Sequence, residues 1–523
     1  MRNSSIFNEV FGPVMVGPSS SHTAGPARIG KMCRQALPDE PEKIDVSFDR
    51  RGSFAATYVA QGSNYGFVGG ILGRDIGDEN IKHSLSEARE KGVSCRFNVV
   101  DLPGDNHPNF AVIEITARNG FKLEAEAAST GGGMFEISRL MGREVSLKGD
   151  LHEFLLFEEP AEGAAEAVRR FMGEKKVACL LRQSPGLLNV KTDEAPEGLK
   201  EGLEAVLGRR VTHLLPALPV VKRLDGRPPF DDAAGALASA EREGVNEPWR
   251  LAAAYESALS GKDEQEILSM MASLAKVMRR AAERGLAGDY RPRGFLPPQS
   301  PKMRQAVESG RVRQLDLGVL NRAALWACAA LDYDICLGVV AAAPTGGSSG
   351  VLPGAVIAVG EDLGLGEDEI VKALLVGGLV GVFIDHQATF AAETAACQAE
   401  IGAASAMAGA AAVQLLGGTP EQAFRAAALS LQNMLGLICD PVAGVGNVPC
   451  VSRNAAGAAN ALVSANMVMA GFDPCLPLDE VIQAMMSVGG MLPAELRCTG
   501  RGGLCLSPTA RKISRELDLT PAL

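Results

Sequence analysis

The chain is predicted to be a multidomain α+β protein, and three observations carry the prediction. Short runs of alternating apolar and polar residues fill positions 1–148. Strand-like and helix-like segments then follow one another in close succession over 149–225. From 226 to 523 alanine and glycine dominate, and long helical periods replace strands. Alternation of period two marks half-buried strands, whereas apolar residues three and four apart mark amphipathic helices. A chain of 523 residues is long enough for several domains and a sizeable buried core.

In the first part, 43–48 and 110–117 alternate as strands do, and 78–91 has a helical period, which together predict a mixed α/β domain. The second part opens on LHEFLLF (151–157), followed by the helix-like AEGAAEAVRRFMG (161–173), then VACLLR and LLNVKT. A second helix, EGLKEGLEAVL (197–207), and VTHLLPALPVV (211–221) complete a β-α-β-β-α-β order, which suits a small two-layer sandwich. GRPPF (226–230) punctuates the passage into the third part, an all-α domain. There 264–284 is amphipathic with charges on one face, and RPRGFLPPQSPKM (291–303) separates it from more apolar helices. Small residues at this density let helices pack closely around a central site.

Composition narrows the function. The net charge is −11, with 51 basic against 62 acidic residues and no basic run, which argues against nucleic acid as a partner. The most apolar stretch, 323–343, contains Asp332 and Asp334, and 373–384 is too short to span a bilayer, so no membrane role is expected. The first residues lack the basic-then-apolar order of a secretion signal. The 11 cysteines lack the dense spacing of a disulfide scaffold, so a cytoplasmic setting with free thiols is expected.

Three motifs carry chemistry. Gly17-Pro18-Ser19-Ser20-Ser21-His22-Thr23-Ala24-Gly25-Pro26 places hydroxyls and backbone N–H groups ahead of a helix, where they can cradle a carboxylate, with His22 able to move protons. A Ser/Thr N-cap accounts for the same residues. Ala343 to Gly354, APTGGSSGVLPG, exposes glycine backbone at a helix start, which suits carboxylate capture or a flexible turn equally. It is no P-loop, because no Gly-Lys-Ser/Thr follows. Cys397 opens CQAE, and Cys439 and Cys450 bracket CDPVAGVGNVPC, a Pro-constrained loop able to bring two sulfurs to one metal. Three thiolates are one short of the four that close an iron–sulfur cubane, though zinc suits the spacing as well as iron does. His386 is a further ligand candidate. A buried core role is the default for Cys33, Cys95, Cys179, Cys328 and Cys336.

Taken together, these stretches resemble the bacterial iron–sulfur-dependent L-serine dehydratases (L-serine ammonia-lyases) across nearly the whole chain. VGPSSSHTAGPARIG, His107-Pro108-Asn109 and Ser129-Thr130-Gly131-Gly132-Gly133 are similar to motifs of that family's β domain. APTGGSSGVLPG, CQAEIG, CDPVAGVGNVPC with Arg453-Asn454 after it, and TGRGGLCLSPTARK are similar to motifs of its helical α domain. The resemblance implies domains at 1–148, 149–225 and 226–523, the middle one an ACT-like domain. It implies that Cys397, Cys439 and Cys450 hold a [4Fe–4S] cluster whose open iron acts as a Lewis acid on the leaving hydroxyl, and that no pyridoxal phosphate takes part. It further implies that Ser19, Ser20, Ser21, Thr23, Thr345, Gly346, Ser348, Ser349, Arg453 and Asn454 bind the amino-acid substrate. His22, His107 and Asn109 would then form the proton-transfer network of a homodimeric enzyme of amino-acid catabolism.

The sequence departs from the family pattern in two places. Where the family shows Gly-His-Gly-Thr-Asp, this chain reads Ala60-Gln61-Gly62-Ser63-Asn64, and Gln61 cannot accept an α-proton as histidine can. Where some relatives end on a cysteine that folds back as a temporary fourth ligand, this chain ends Thr520-Pro521-Ala522-Leu523, leaving Cys498 and Cys505 as nearby substitutes. A lyase acting on L-serine or a related β-hydroxy amino acid is therefore the leading expectation. A cysteine desulfidase and a non-catalytic amino-acid-binding regulator are the alternatives.

Overall fold

The computed structural model describes residues 3–310 and 315–517; the terminal run 520–523 named above lies outside them. A six-stranded sheet forms the first unit, in the order Ser94–Val100, Pro41–Asp49, Phe110–Ala117, Lys122–Gly131, Met134–Leu140, Arg143–Leu147. The first pair is parallel and the rest antiparallel. Val46 pairs with Phe97 on one side and Ile113 on the other, so alternate residues of each strand reach one apolar layer. The helices Gly25–Ala36 and Ser63–Ile71 cover that layer, burying Ile29, Met32, Phe67 and Val68 against Ile44, Val46 and Phe48. The segment predicted as one helix over 78–91 divides into a 3₁₀ turn, Glu79–His83, capped by Asp78, and the helix Ser84–Glu90.

Residues 152–214 run β-α-β-β-α-β, in the order the sequence predicts: His152–Leu156, Ala164–Lys175, Cys179–Ser184, Leu187–Thr192, Leu199–Leu207, Thr212–Leu214. The sheet order is Thr212–Leu214, His152–Leu156, Leu187–Thr192, Cys179–Ser184. Phe154, Leu156, Leu188 and Val190 face the two helices, and Leu155 and Leu187 turn to the core of the first unit. The last strand is shorter than 211–221 because Pro216 and Pro219 remove backbone donors.

Among the described residues, the remaining chain is helical apart from one short strand that the sequence does not announce. Val339–Ala341 pairs with Val14–Val16, tying the N-terminal part to the helical one. At the centre lies Ile401–Leu415, nearly all buried, surrounded by Val351–Asp362, Glu367–Gln387, Pro420–Gln432 and Cys450–Met469. Glycine sets the closest approaches: a methyl group on Gly285 would collide with the carbonyl of Ala329 on the facing Val319–Ile335 helix. Among the described residues, no helix is long and apolar enough to cross a membrane.

Candidate active site

Where the first unit meets the helical one there is a cavity of about 60 Å³. Pro18, Ser19, Ser21, His22 and Gln61 line it from one side. Leu331, Asp334, Gly347, Glu393, Glu400, Cys439, Cys450 and Cys498 line it from the other.

The helical wall is rich in thiols. Cys439 is in hydrogen-bonding contact with Cys397 and Cys498. The sulfurs of Cys397 and Cys439 and a carboxylate oxygen of Glu400 lie within 4.8 Å of one another. Cys450 reaches the same cavity from the first turn of the Cys450–Met469 helix. The hydrogen bonds to Cys397 and Cys498, with burial, push the Cys439 thiol well up. Burial and then Cys397 do the same to Cys450. Clustered thiols resist ionising together unless a cation lies among them.

Backbone and arginine hold this wall in place. The Cys439 N–H donates to the Leu496 carbonyl (2.9 Å) and the Cys498 N–H to the Cys439 carbonyl (3.0 Å). Arg453 donates to Cys397 Sγ (3.7 Å) and the Ile438 carbonyl (2.9 Å), and pairs with Asp440 (2.9 Å). Ala396, Ala443 and Cys498 are three of the seven non-glycine residues with positive φ among the described residues. Such backbone is costly and persists where its surroundings fix it, as at functional sites. Cys505 donates to the Pro441 carbonyl (3.2 Å) and does not line the cavity. His386 lies elsewhere, bonded to Ser4 (3.1 Å) and the Asp231 carbonyl (2.8 Å).

Across the cavity, His22 from the first unit meets Glu393 from the helical one, and that carboxylate links the residues that the sequence singles out for proton transfer. His22 is buried, with Nδ1 2.8 Å from Ser21 Oγ and Nε2 3.1 Å from Ser53 Oγ. Burial, and then the neighbouring His107, lower its pKa to about 3, so the ring is neutral at physiological pH. Ser21 hydrogen-bonds to Glu393, whose Oε1 also accepts from Asn109 Nδ2. The Asn109 N–H in turn donates to His107 Nδ1 (3.1 Å). Burial raises the pKa of Glu393.

The other predicted binding residues occupy varied places. Thr23 donates to the Gln61 carbonyl (2.8 Å), which fixes Gln61 so that its amide reaches Cys498 Sγ (3.7 Å). The Ser20 hydroxyl accepts from the Gly346 N–H (3.3 Å), joining the two turns. Thr345 and Ser348 hydroxyls are 3.0 Å apart, and Thr345 donates to Glu400 (2.8 Å). Asn454 braces the same turn, donating to the Gly347 carbonyl (2.8 Å) and accepting from the Gly350 N–H (2.9 Å). Ser349 Oγ is buried with no hydrogen-bond partner and is not part of the cavity wall.

Asp334, Glu393 and Glu400 are the site residues that sequence reasoning missed. Burial pushes Glu400 up to about 7 and Asp334 well above the ordinary range. An acidic residue inside an apolar run is the sequence signal for Asp334, because such a charge needs a partner. The donor set of converging thiols fits a thiolate-bound metal group, and soft sulfur ligands select iron–sulfur or zinc centres.

Two family models match this chain. Residues 171–505 match the family model described as serine dehydratase alpha chain, and residues 5–99 the one described as serine dehydratase beta chain. The probable L-serine dehydratase alpha chain of Bacillus subtilis is 39% identical over 264 residues, 50% of this chain and 87% of the relative. The probable beta chain of the same organism is 39% identical over 208 residues, 38% of this chain and 91% of the relative. The L-serine dehydratase of Streptomyces coelicolor is 26% identical over 506 residues, covering 94% of this chain and 96% of that protein.

Proposed function

Because the chain belongs to the serine dehydratase family, joining alpha-chain and beta-chain stretches in one polypeptide, we propose that it is an L-serine ammonia-lyase that converts L-serine to pyruvate and ammonia. We assign Cys397, Cys439 and Cys450 as holders of a [4Fe–4S] cluster. The observation that carries the reading is the gathering of these thiols, Cys439 and Cys450 on the cavity wall and Cys397 in contact with Cys439, beside a histidine–carboxylate network that bridges the two halves. When bound, such a cluster supplies Lewis-acid stabilisation of the negative charge on a departing β-hydroxyl.

The chain's own residues would do the rest. The Ser19 hydroxyl and the Gly347 backbone are placed to hold the substrate carboxylate. The α-proton passes through His22 and Ser21 to Glu393, which Asn109 orients and whose raised pKa lets it hold the proton that His22, lowered to about 3, does not keep. This relay stands in for the family histidine that Gln61 replaces. Loss of the α-proton and the β-hydroxyl leaves aminoacrylate and water. Aminoacrylate tautomerises to the imine, which takes up water to give pyruvate and ammonia. The parts 1–148, 149–225 and 226–523 would then be a β-type domain, an ACT-like domain and the helical catalytic domain. The β-α-β-β-α-β order of 152–214 supports the middle assignment.

Anaerobically purified protein is expected to carry an iron–sulfur chromophore with about four irons per chain. Incubation with L-serine, L-threonine and L-cysteine, scored for 2-oxo acid, ammonia and sulfide, is expected to give pyruvate fastest from serine. Cys439→Ala is expected to abolish both colour and turnover while the far-ultraviolet circular dichroism stays helical. Unchanged turnover in that variant would contradict the ligand assignment, and sulfide from cysteine without pyruvate from serine would move the enzyme to the desulfidases.

A further inference from the structure

Asp334 is fully buried on the Val319–Ile335 helix and lines the cavity, yet neither carboxylate oxygen has a hydrogen-bond partner. The other two carboxylates of the cavity are partnered: Glu393 accepts from Asn109, and Glu400 from Thr345 (2.8 Å) and Cys397 (3.8 Å). Asp332, two residues away, accepts the N–H groups of Gln299 (2.8 Å) and Ser300 (2.7 Å). Arg293 acts on Asp334 electrostatically but donates to the carbonyls of Ala60 (2.7 Å) and Ile335 (3.5 Å). Gly17 leaves room for the carboxylate, since a methyl group there would collide with it.

A buried carboxylate with both oxygens free is costly unless a cation or donor arrives to meet it. The cavity has the Ser19 hydroxyl and the Gly347 backbone for a ligand's anionic end and thiols for its β-substituent, which leaves a compact cation as the group missing from Asp334's side. We propose that Asp334 recognises the α-ammonium group of the substrate and so selects amino acids over the corresponding acids that lack nitrogen. An ammonium offers three donors on a small charge, which matches two open oxygens in a small space. The identity of the ligand rests on the lyase reading above; recognition itself requires no turnover.

The test uses anaerobically purified full-length protein and two probes without a leaving group, L-alanine and propionate, which differ by the ammonium group. Calorimetry is expected to show alanine binding weakened at least about tenfold by Asp334→Asn, with propionate binding unchanged. Equal alanine affinity in the two proteins, equal losses for both probes, or no alanine binding by the natural protein overturns the proposal. Should Asp334→Asn fail to fold, the natural protein's preference for alanine over propionate decides, and equal affinities overturn the assignment. Ammonium-dependent binding without serine turnover would leave Asp334's role standing and remove the lyase reading. Turnover with an indifferent Asp334→Asn would do the reverse.

Discussion

Glu256 is fully buried on the Pro248–Ser260 helix, where its oxygens accept from Ser5 Oγ at 2.6 Å and from the Ile6 N–H at 2.8 Å. Burial raises its pKa to about 7, and the two hydrogen bonds only partly offset that. The folded chain therefore holds a proton on Glu256, between its ordinary 4.5 and about 7, that the unfolded chain has released. Its contribution is full below the unfolded value and is lost as pH rises through about 7. Glu256→Gln is expected to flatten this dependence, changing the gap between variant and natural protein by about 3 kcal/mol from pH 5 to pH 8. Urea unfolding at several pH values checks it; parallel curves would contradict the shift. Such carboxylates mark where sequence reading stops. Cysteines and serine-rich turns announce themselves by pattern, but Asp332 and Asp334 look alike two positions apart in one apolar helix. Only folding shows that the first caps a neighbouring helix and the second faces the cavity.

Helices and strands were legible where their faces differ in polarity. The helix Glu264–Ala287 lies close to where its periodicity puts it, because it has a buried and a polar side. Val14–Val16 and Val339–Ala341 carry no such signal: three residues cannot establish a period, and each strand needs a partner over three hundred residues away. The density of small residues did indicate close helix packing, and it makes an element-scale prediction. On Gly285 a side chain meets the Ala329 backbone, which cannot rotate away. Gly285→Ala is expected to destabilise by about 1–3 kcal/mol. In the helix Ala164–Lys175, Gly173 has nothing within 4 Å of its Cβ position. Gly173→Ala is expected to be neutral or to stabilise by up to about 1 kcal/mol, from helix propensity alone. Denaturant midpoints for the pair measure the contrast, and equal effects would mean that helix contact does not set the cost.

The cavity belongs to neither half of the molecule alone, since His22 and Gln61 come from one and Cys439, Cys450 and Asp334 from the other. The two halves are joined by more than the site. Ile6, Phe7, Val10 and Phe11 are buried in the helical core, and Val14–Val16 pairs with Val339–Ala341. Arg293 reaches the Ala60 carbonyl, and Asn109 reaches Glu393. Burying four such apolar side chains contributes about 1.5–3 kcal/mol each, an upper estimate because the unfolded chain already hides some of that surface. The relatives from Bacillus subtilis are a separate alpha chain and beta chain. A break between residues 225 and 226 should therefore leave two fragments that find each other. Co-expressed 1–225 and 226–523 are expected to co-purify through a tag on the second. Serine turnover is expected from the pair and from neither fragment alone. Removing residues 1–12 takes away the four buried side chains while sparing every residue of the cavity, so it is expected to cut co-purification at least about tenfold. A tagged helical fragment recovered by itself, or one that turns over serine without its partner, would show that the site does not depend on the junction between the halves.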